Sequence, residues 1–194
     1  MNKKLRLMVI TGLFMALIIL MGLTPIGLLH VGPIYVTLLC IPVIVGTILL
    51  GTKVGLLLAV CFGSVSLFVG LRAPSPLEAP IMQANMIYLI VLCYFPRLMI
   101  PLMTALTHRY LFKKRPEQLK LSIAAIVGSL TNTILYLGFV LLFYVLIGLD
   151  HVALLGTLGT IVLFAGIPEA IAAALVSMPV ILAIRKSRLA NGLQ

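Results

Sequence analysis

Charge-free apolar runs occupy most of this chain and dictate the solvent it can fold in. Leu7–Leu29, Val31–Thr52, Val54–Leu71, Leu98–Thr107, Leu121–Leu149, Val152–Pro168 and Ala170–Ile184 contain no Asp, Glu, Lys or Arg. A helix needs about 20 apolar residues to cross the hydrocarbon core of a bilayer. These runs accommodate six crossings. With 62% hydrophobic and 9% charged residues, no ordinary soluble domain fits the chain. The expectation is an all-α integral membrane protein with six transmembrane helices, forming a single membrane-embedded domain over residues 1–194.

The charges are sorted by connection. Lys3, Lys4 and Arg6 precede the first span, and Lys53 lies between the second and third. Arg109, Lys113, Lys114, Arg115 and Lys120 surround the fourth-to-fifth connection, and Arg185, Lys186 and Arg188 follow the last span. Of the 14 Lys and Arg, this leaves only Arg72 and Arg97 for the other side. The positive-inside rule then puts both termini in the cytoplasm. It also accounts for the net charge of +10 without nucleic acid. Glu78, Asp150 and Glu169 fall on the outer side, where polar chemistry gathers.

Cys40, Cys61 and Cys93 all sit in apolar runs with no metal-ligand spacing, so no metal site or disulfide framework is expected. The basic, apolar N-terminus has no clear small-residue cleavage site and reads as a retained first span. No HExxH, GxSxG or Walker loop occurs, so no enzyme and no cofactor are expected, and any ATP is handled by another chain.

Arg97 is the only charge between Ile81 and Thr107. A guanidinium at membrane depth costs at least about 2.5–3.5 kcal/mol, so something anionic is expected to meet it. Ile81–Phe95 is short for a crossing and reads as a helix dipping into the outer half. The fourth span then opens at Pro96, with Arg97 in its first turn. Val152–Ala165 repeats the pattern, preceding Pro168, Glu169 and a sixth span over about Pro168–Ile184. The second span is placed at about Ile34–Gly51. The outer loop Thr24–Pro33 is unusually apolar and reads as a lid, with His30 in ligand reach.

At the helical rise, Arg97 lies about 24 Å from Lys113, Glu169 about 24 Å from Arg185 and Asn132 about 18 Å from Lys120. A cation, an amide and a carboxylate thus share the outer half, on the fourth, fifth and sixth spans. A solute carboxylate suits a bidentate contact to Arg97, and Asn132 both donates and accepts. Tyr94 and Thr131, the neighbours of Arg97 and Asn132 in sequence, join Arg97, Asn132, Glu169 and His30 as candidate substrate-binding residues. Plainer roles stay open: Arg97 snorkelling to headgroups, Glu169 favoured by a helix dipole, the two pairing with each other, or Asn132 tying helices together.

Several stretches also carry a family likeness. The run from Gly27 to Gly55 (GLLHVGPIYVTLLCIPVIVGTILLGTKVG), Phe95-Pro96-Arg97-Leu98, Thr131-Asn132-Thr133 and Gly166-Ile167-Pro168-Glu169-Ala170 occur in an order that resembles the substrate-binding membrane subunits, or S-components, of energy-coupling factor (ECF) vitamin transporters. The likeness covers about residues 5–186 and is greatest to the pantothenate-specific branch. It implies six helices with a solute site near the outer face, covered by the first and third outer loops, the first of them Leu28–Pro33 here. It also implies docking on one transmembrane coupling protein and two ATPases in a prokaryotic cell membrane. The family's usual AxxxA on the first helix is Gly12…Ala16 here, which the resemblance makes the contact to the coupling protein.

The function expected is therefore high-affinity capture of a small anionic vitamin, pantothenate before others, for an ATP-driven importer. The absence of Trp disfavours a flat heteroaromatic ligand that wants a stacking platform. The alternatives are an S-component for another vitamin such as folate, and a stand-alone secondary carrier, a class that often shows internal repeats.

Overall fold

A computed structural model describes residues 3–24, 28–31, 34–111 and 116–186, with side chains given for all of these except Lys3, residues 28–31 and 34–37, His151 and Ala153. The order of elements is α1 (Lys3–Leu23), β1 (Leu28–Val31), β2 (Ile34–Thr37), α2 (Cys40–Leu50), α3 (Thr52–Arg72), α4 (Glu78–Ala84), α5 (Met86–Leu106), α6 (Glu117–Ile147), α7 (His151–Ile161) and α8 (Ile167–Lys186). A π-helical turn extends α5 over Thr107–Leu111, and another joins α7 to α8 over Val162–Gly166. Apart from the β1–β2 hairpin, which pairs Leu28 with Thr37 and Val31 with Ile34, the architecture is helical.

Five helical stretches are long and apolar enough to cross a membrane: Lys4–Leu23, Thr52–Arg72, Met86–Leu111, Glu117–Ile147 and Leu154–Lys186. The sequence predicts six. The difference lies at the expected second span, where the helix is only the 11 residues of α2 and Ile34–Thr37 is strand instead. At about 1.5 Å per residue, α2 spans about 16 Å, roughly half the hydrocarbon thickness. Cys40 through Thr47 are all buried, which is the signature of a helix enclosed by others rather than by lipid. It packs on α1, α3, α5, α6 and α8. Gly51 ends it at φ 99°, a value that glycine adopts readily, and α3 starts at the next residue.

The two short outer helices expected at Ile81–Phe95 and Val152–Ala165 are also corrected. The first run breaks at Asn85, not at Pro96. Asn85 caps α5 by accepting the Ile87 N–H at 2.9 Å, and α5 then passes straight through Pro96 and Pro101. Gln83 and Asn85 were the polar signal inside that run. The second run does not stop before Pro168, because the π-turn carries α7 directly into α8. Arg97 and Glu169 therefore lie in helix interiors, and a first-turn dipole does not account for Glu169.

Two apolar cores fill the bundle. One holds Ile18, Ile44, Leu58, Ile100, Leu121 and Ile181, all fully buried. The other holds Ile81, Leu92, Val140 and Leu154, toward α4 and α7. Along α5, α6 and the α7–α8 stretch, the residues between the two sets are Arg97, then Ser129, Asn132 and Thr133, then Glu169. Close helix approach relies on small residues, as membrane packing requires. A Cβ at Gly128 would fall 2.3 Å from Thr104 Oγ1, and one at Gly166 would fall 2.9 Å from Thr133 Cγ2.

At the basic end, Glu117 gathers three partners. Arg185 donates to it from α8, Lys120 Nζ lies at 3.1 Å, and His108 Nε2 at 3.4 Å from the end of α5. The contacts level the ends of α5, α6 and α8. Glu117 is 40% exposed, so solvent screens these pairs, and Glu117→Gln is expected to lower the stability of the detergent-solubilised protein by only about 1 kcal/mol. A melt that does not shift would mean that the apolar cores alone set this end.

Candidate functional site

The polar layer is built around Arg97, which is only 6% exposed. Pro96 has no N–H, so it cannot bond the Leu92 carbonyl one turn earlier. Arg97 takes up that carbonyl: its Nη1 donates to Leu92 O at 2.7 Å. Its Nη2 donates to Ser66 Oγ on α3 at 2.9 Å. The side chain thus turns back toward the start of α5, the direction helical side chains prefer. The Phe62 and Tyr136 rings lie 5.3 and 5.0 Å from the guanidinium carbon. Both are within cation–π reach.

These contacts use two of the five N–H groups of the guanidinium. Nε is buried and has no hydrogen-bond partner among the described residues. Among the described residues no carboxylate pairs with Arg97, so the expected alternative of an Arg97–Glu169 ion pair is not what the structure holds. Snorkelling to the membrane surface does not describe it either, since the head is enclosed by α3, α5 and α6.

Asn132 is 6% exposed on α6, one helical turn before Tyr136, and its Oδ1 is buried without a partner. That oxygen makes no tie between helices. Glu169, 5% exposed, accepts a hydrogen bond from Cys40 Sγ at 3.3 Å, and Ser129 Oγ lies 3.9 Å from the same sulfur. Levelled by the Glu117 contacts, Asn132 lies about 22 Å and Glu169 about 24 Å from the basic end. The back-turned guanidinium of Arg97 reaches a comparable height. A cation with open donors, an amide with an open acceptor and a carboxylate therefore share one layer.

The other expected residues are placed differently. Tyr94 packs on α3, where its hydroxyl meets Ser64 Oγ at 2.8 Å and a Cβ at Gly63 would fall 2.8 Å from its ring. Thr131 returns its hydroxyl to the Val127 carbonyl at 2.6 Å. His30 has its backbone in β1, but its side chain lies outside the described residues, as does the tip of the expected lid at residues 32–33. Gly12 and Ala16 are exposed on α1, and a Cβ at Gly12 would meet nothing within 4 Å. Among the described residues, α1 packs through Ile18 and Gly22 rather than through this exposed face.

Four residues around Arg97 escape sequence reasoning. Ser66, Phe62 and Tyr136 carry no motif. Glu78 does: Ser75-x-x-Glu78 is a capping box, with the Ser75 N–H donating to Glu78 Oε2 at 3.1 Å and the Glu78 N–H to Ser75 Oγ at 3.3 Å. The other oxygen of Glu78 accepts the Tyr136 hydroxyl at 2.8 Å.

The family model described as "ECF transporter, substrate-specific component" matches residues 6–182 of the chain. A search of curated proteins returns no match.

Replacing Pro96 by Ala returns an N–H to the Leu92 carbonyl and removes the acceptor kept for Arg97. Pro96→Ala is expected to leave the melting temperature unchanged or raised, yet to weaken binding of an anionic solute about tenfold, the worth of one charge-assisted hydrogen bond. Equal affinity in parent and variant would show that this carbonyl does not set the guanidinium.

Proposed function

The chain belongs to the family of ECF transporter substrate-specific components, and on that footing we propose that it captures a small anionic vitamin, pantothenate, at the outer face of a prokaryotic cell membrane. It delivers the vitamin to the cytoplasm with an ATP-driven ECF module made of a transmembrane coupling protein and two ATPases. The chain crosses the membrane six times in this reading, α2 making the short crossing, with the basic end in the cytoplasm as the positive-inside rule requires.

The observation that supports this reading is the pairing of open groups in the polar layer. Arg97 Nε is a buried donor without a partner, and Asn132 Oδ1 is a buried acceptor without one. Buried polar groups left unsatisfied are costly, about 1–3 kcal/mol each, and a ligand that completes them recovers that cost. Pantothenate carries one carboxylate for Arg97 and amide and hydroxyl donors for Asn132 and for the Glu169 carboxylate. Glu169, Cys40 and Ser129 supply the far wall of the site in this reading.

Equilibrium binding of labelled pantothenate to the purified chain tests it, with unlabelled vitamins, folate among them, as competitors. Saturable binding displaced by pantothenate alone is the expected result. Displacement by another vitamin would move the substrate, and uptake by the chain alone in vesicles would indicate a secondary carrier. Arg97→Ala is expected to reduce affinity at least about a hundredfold, because it removes the charge and its hydrogen bonds together. Undiminished binding would take Arg97 out of the site.

The outward Gly12–Ala16 face fits a partner helix that approaches closely. Leu at either position is expected to leave vitamin binding intact and to abolish uptake by cells that also make the module. Normal uptake by both variants would place the coupling surface elsewhere on the chain.

A further inference from the structure

Glu78 and Tyr136 have no part in the site proposed above, yet they stand behind Arg97 as a series of contacts. Ser75 and Glu78 cap α4 reciprocally, which fixes the Glu78 side chain. Its remaining oxygen receives the Tyr136 hydroxyl at 2.8 Å, which fixes the ring on α6. That ring lies 5.0 Å from the Arg97 guanidinium carbon, with Phe62 from α3 at 5.3 Å. Leu92 O and Ser66 Oγ hold the two terminal nitrogens. Each terminal nitrogen thus has one acceptor, and among the described residues Nε is the one guanidinium nitrogen that has none.

We propose that Tyr136, anchored by Glu78, is a positioning residue for Arg97 that sets the guanidinium with its Nε edge toward the solute carboxylate. This rests on the reading of Arg97 as the carboxylate-binding group. A phenol that donates to a carboxylate has a more electron-rich ring, so the Glu78 bond strengthens the hold of Tyr136 on the cation it faces. Glu78 makes no direct ion pair with Arg97 among the described residues, since its oxygens accept from the Ser75 N–H and the Tyr136 hydroxyl. The selectivity of the site for a carboxylate thus depends on a residue pair that need not touch the solute.

The test has a ligand-free arm and a ligand arm, both on the full chain in detergent. In the first, melting temperatures are compared for the parent, Arg97→Gln, Tyr136→Leu and the double variant. The double variant is expected to lose less than the sum of the two single losses, because both remove the one contact they share. Additive losses would overturn the proposal whatever the natural solute is. In the second, pantothenate and its neutral alcohol analogue pantothenol compete for the site. Tyr136→Leu is expected to cut the preference for the carboxylate about tenfold, with pantothenol affinity held within about twofold. Tyr136→Phe keeps the ring but loses the anchor, and is expected to cut it about threefold. Parallel loss of both ligands, or no change in either, would reduce Tyr136 to a packing residue. If Tyr136→Leu does not fold, the Tyr136→Phe ratio decides by the same criteria. A parent protein that binds no pantothenate overturns the vitamin reading, while the melts still judge the Tyr136–Arg97 coupling.

Discussion

The hydrogen bond from Arg97 to the Leu92 carbonyl is the interaction on which the polar layer depends. A proline inside a helix ordinarily leaves a carbonyl without its partner, and an arginine inside a membrane ordinarily lacks acceptors. Here each defect answers the other. The carbonyl released by Pro96 meets the charge one residue later, and the 2.7 Å bond turns the side chain back along α5. Removing an ion from water costs several kcal/mol even after relaxation, and one carbonyl, one hydroxyl and two ring faces offset only part of it. The deficit is one that an anion beside Arg97 would offset.

The same logic orders the molecule around that layer. Apolar residues can fill the bundle above and below it, but at the height of Arg97, Asn132 and Glu169 the helices must supply polar partners. Small residues bring them close enough: Gly166 lets the α7–α8 stretch approach Thr133, and Gly63 lets α3 receive Tyr94. The π-turn just before Glu169 is a further local adjustment, of a kind frequent at functional sites. Glu117, at the far end, fixes the level of three helices and so keeps the polar groups in register.

Much of this was legible in the sequence, for reasons tied to particular residues. The charge-free runs determine the solvent and the helical class, and a lone Arg97 amid apolar residues signals a cation at depth, which the structure encloses at 6% exposure. What misled was local punctuation. Pro96 and Pro168 read as helix starts, since proline favours a first turn, but in a bundle a neighbouring side chain or a π-turn can satisfy the freed carbonyl. The shortness of α2 was hidden because apolar content cannot distinguish strand from helix over Ile34–Thr37. Ser66, Phe62 and Tyr136 were out of reach because their roles arise only when α3 and α6 meet α5, and no spacing within one segment records that.

The enclosure of α2 bears on how the chain enters its bilayer. A segment helical over only 11 residues cannot satisfy its flanking backbone while surrounded by lipid. Its buried faces find their packing partners on α1, α3, α5, α6 and α8, and four of these five lie later in the chain. Most of the surface that encloses α2 is thus supplied by helices that follow it in the chain. The residues that enclose α2 are in this sense as necessary to its place in the bilayer as its own apolar character.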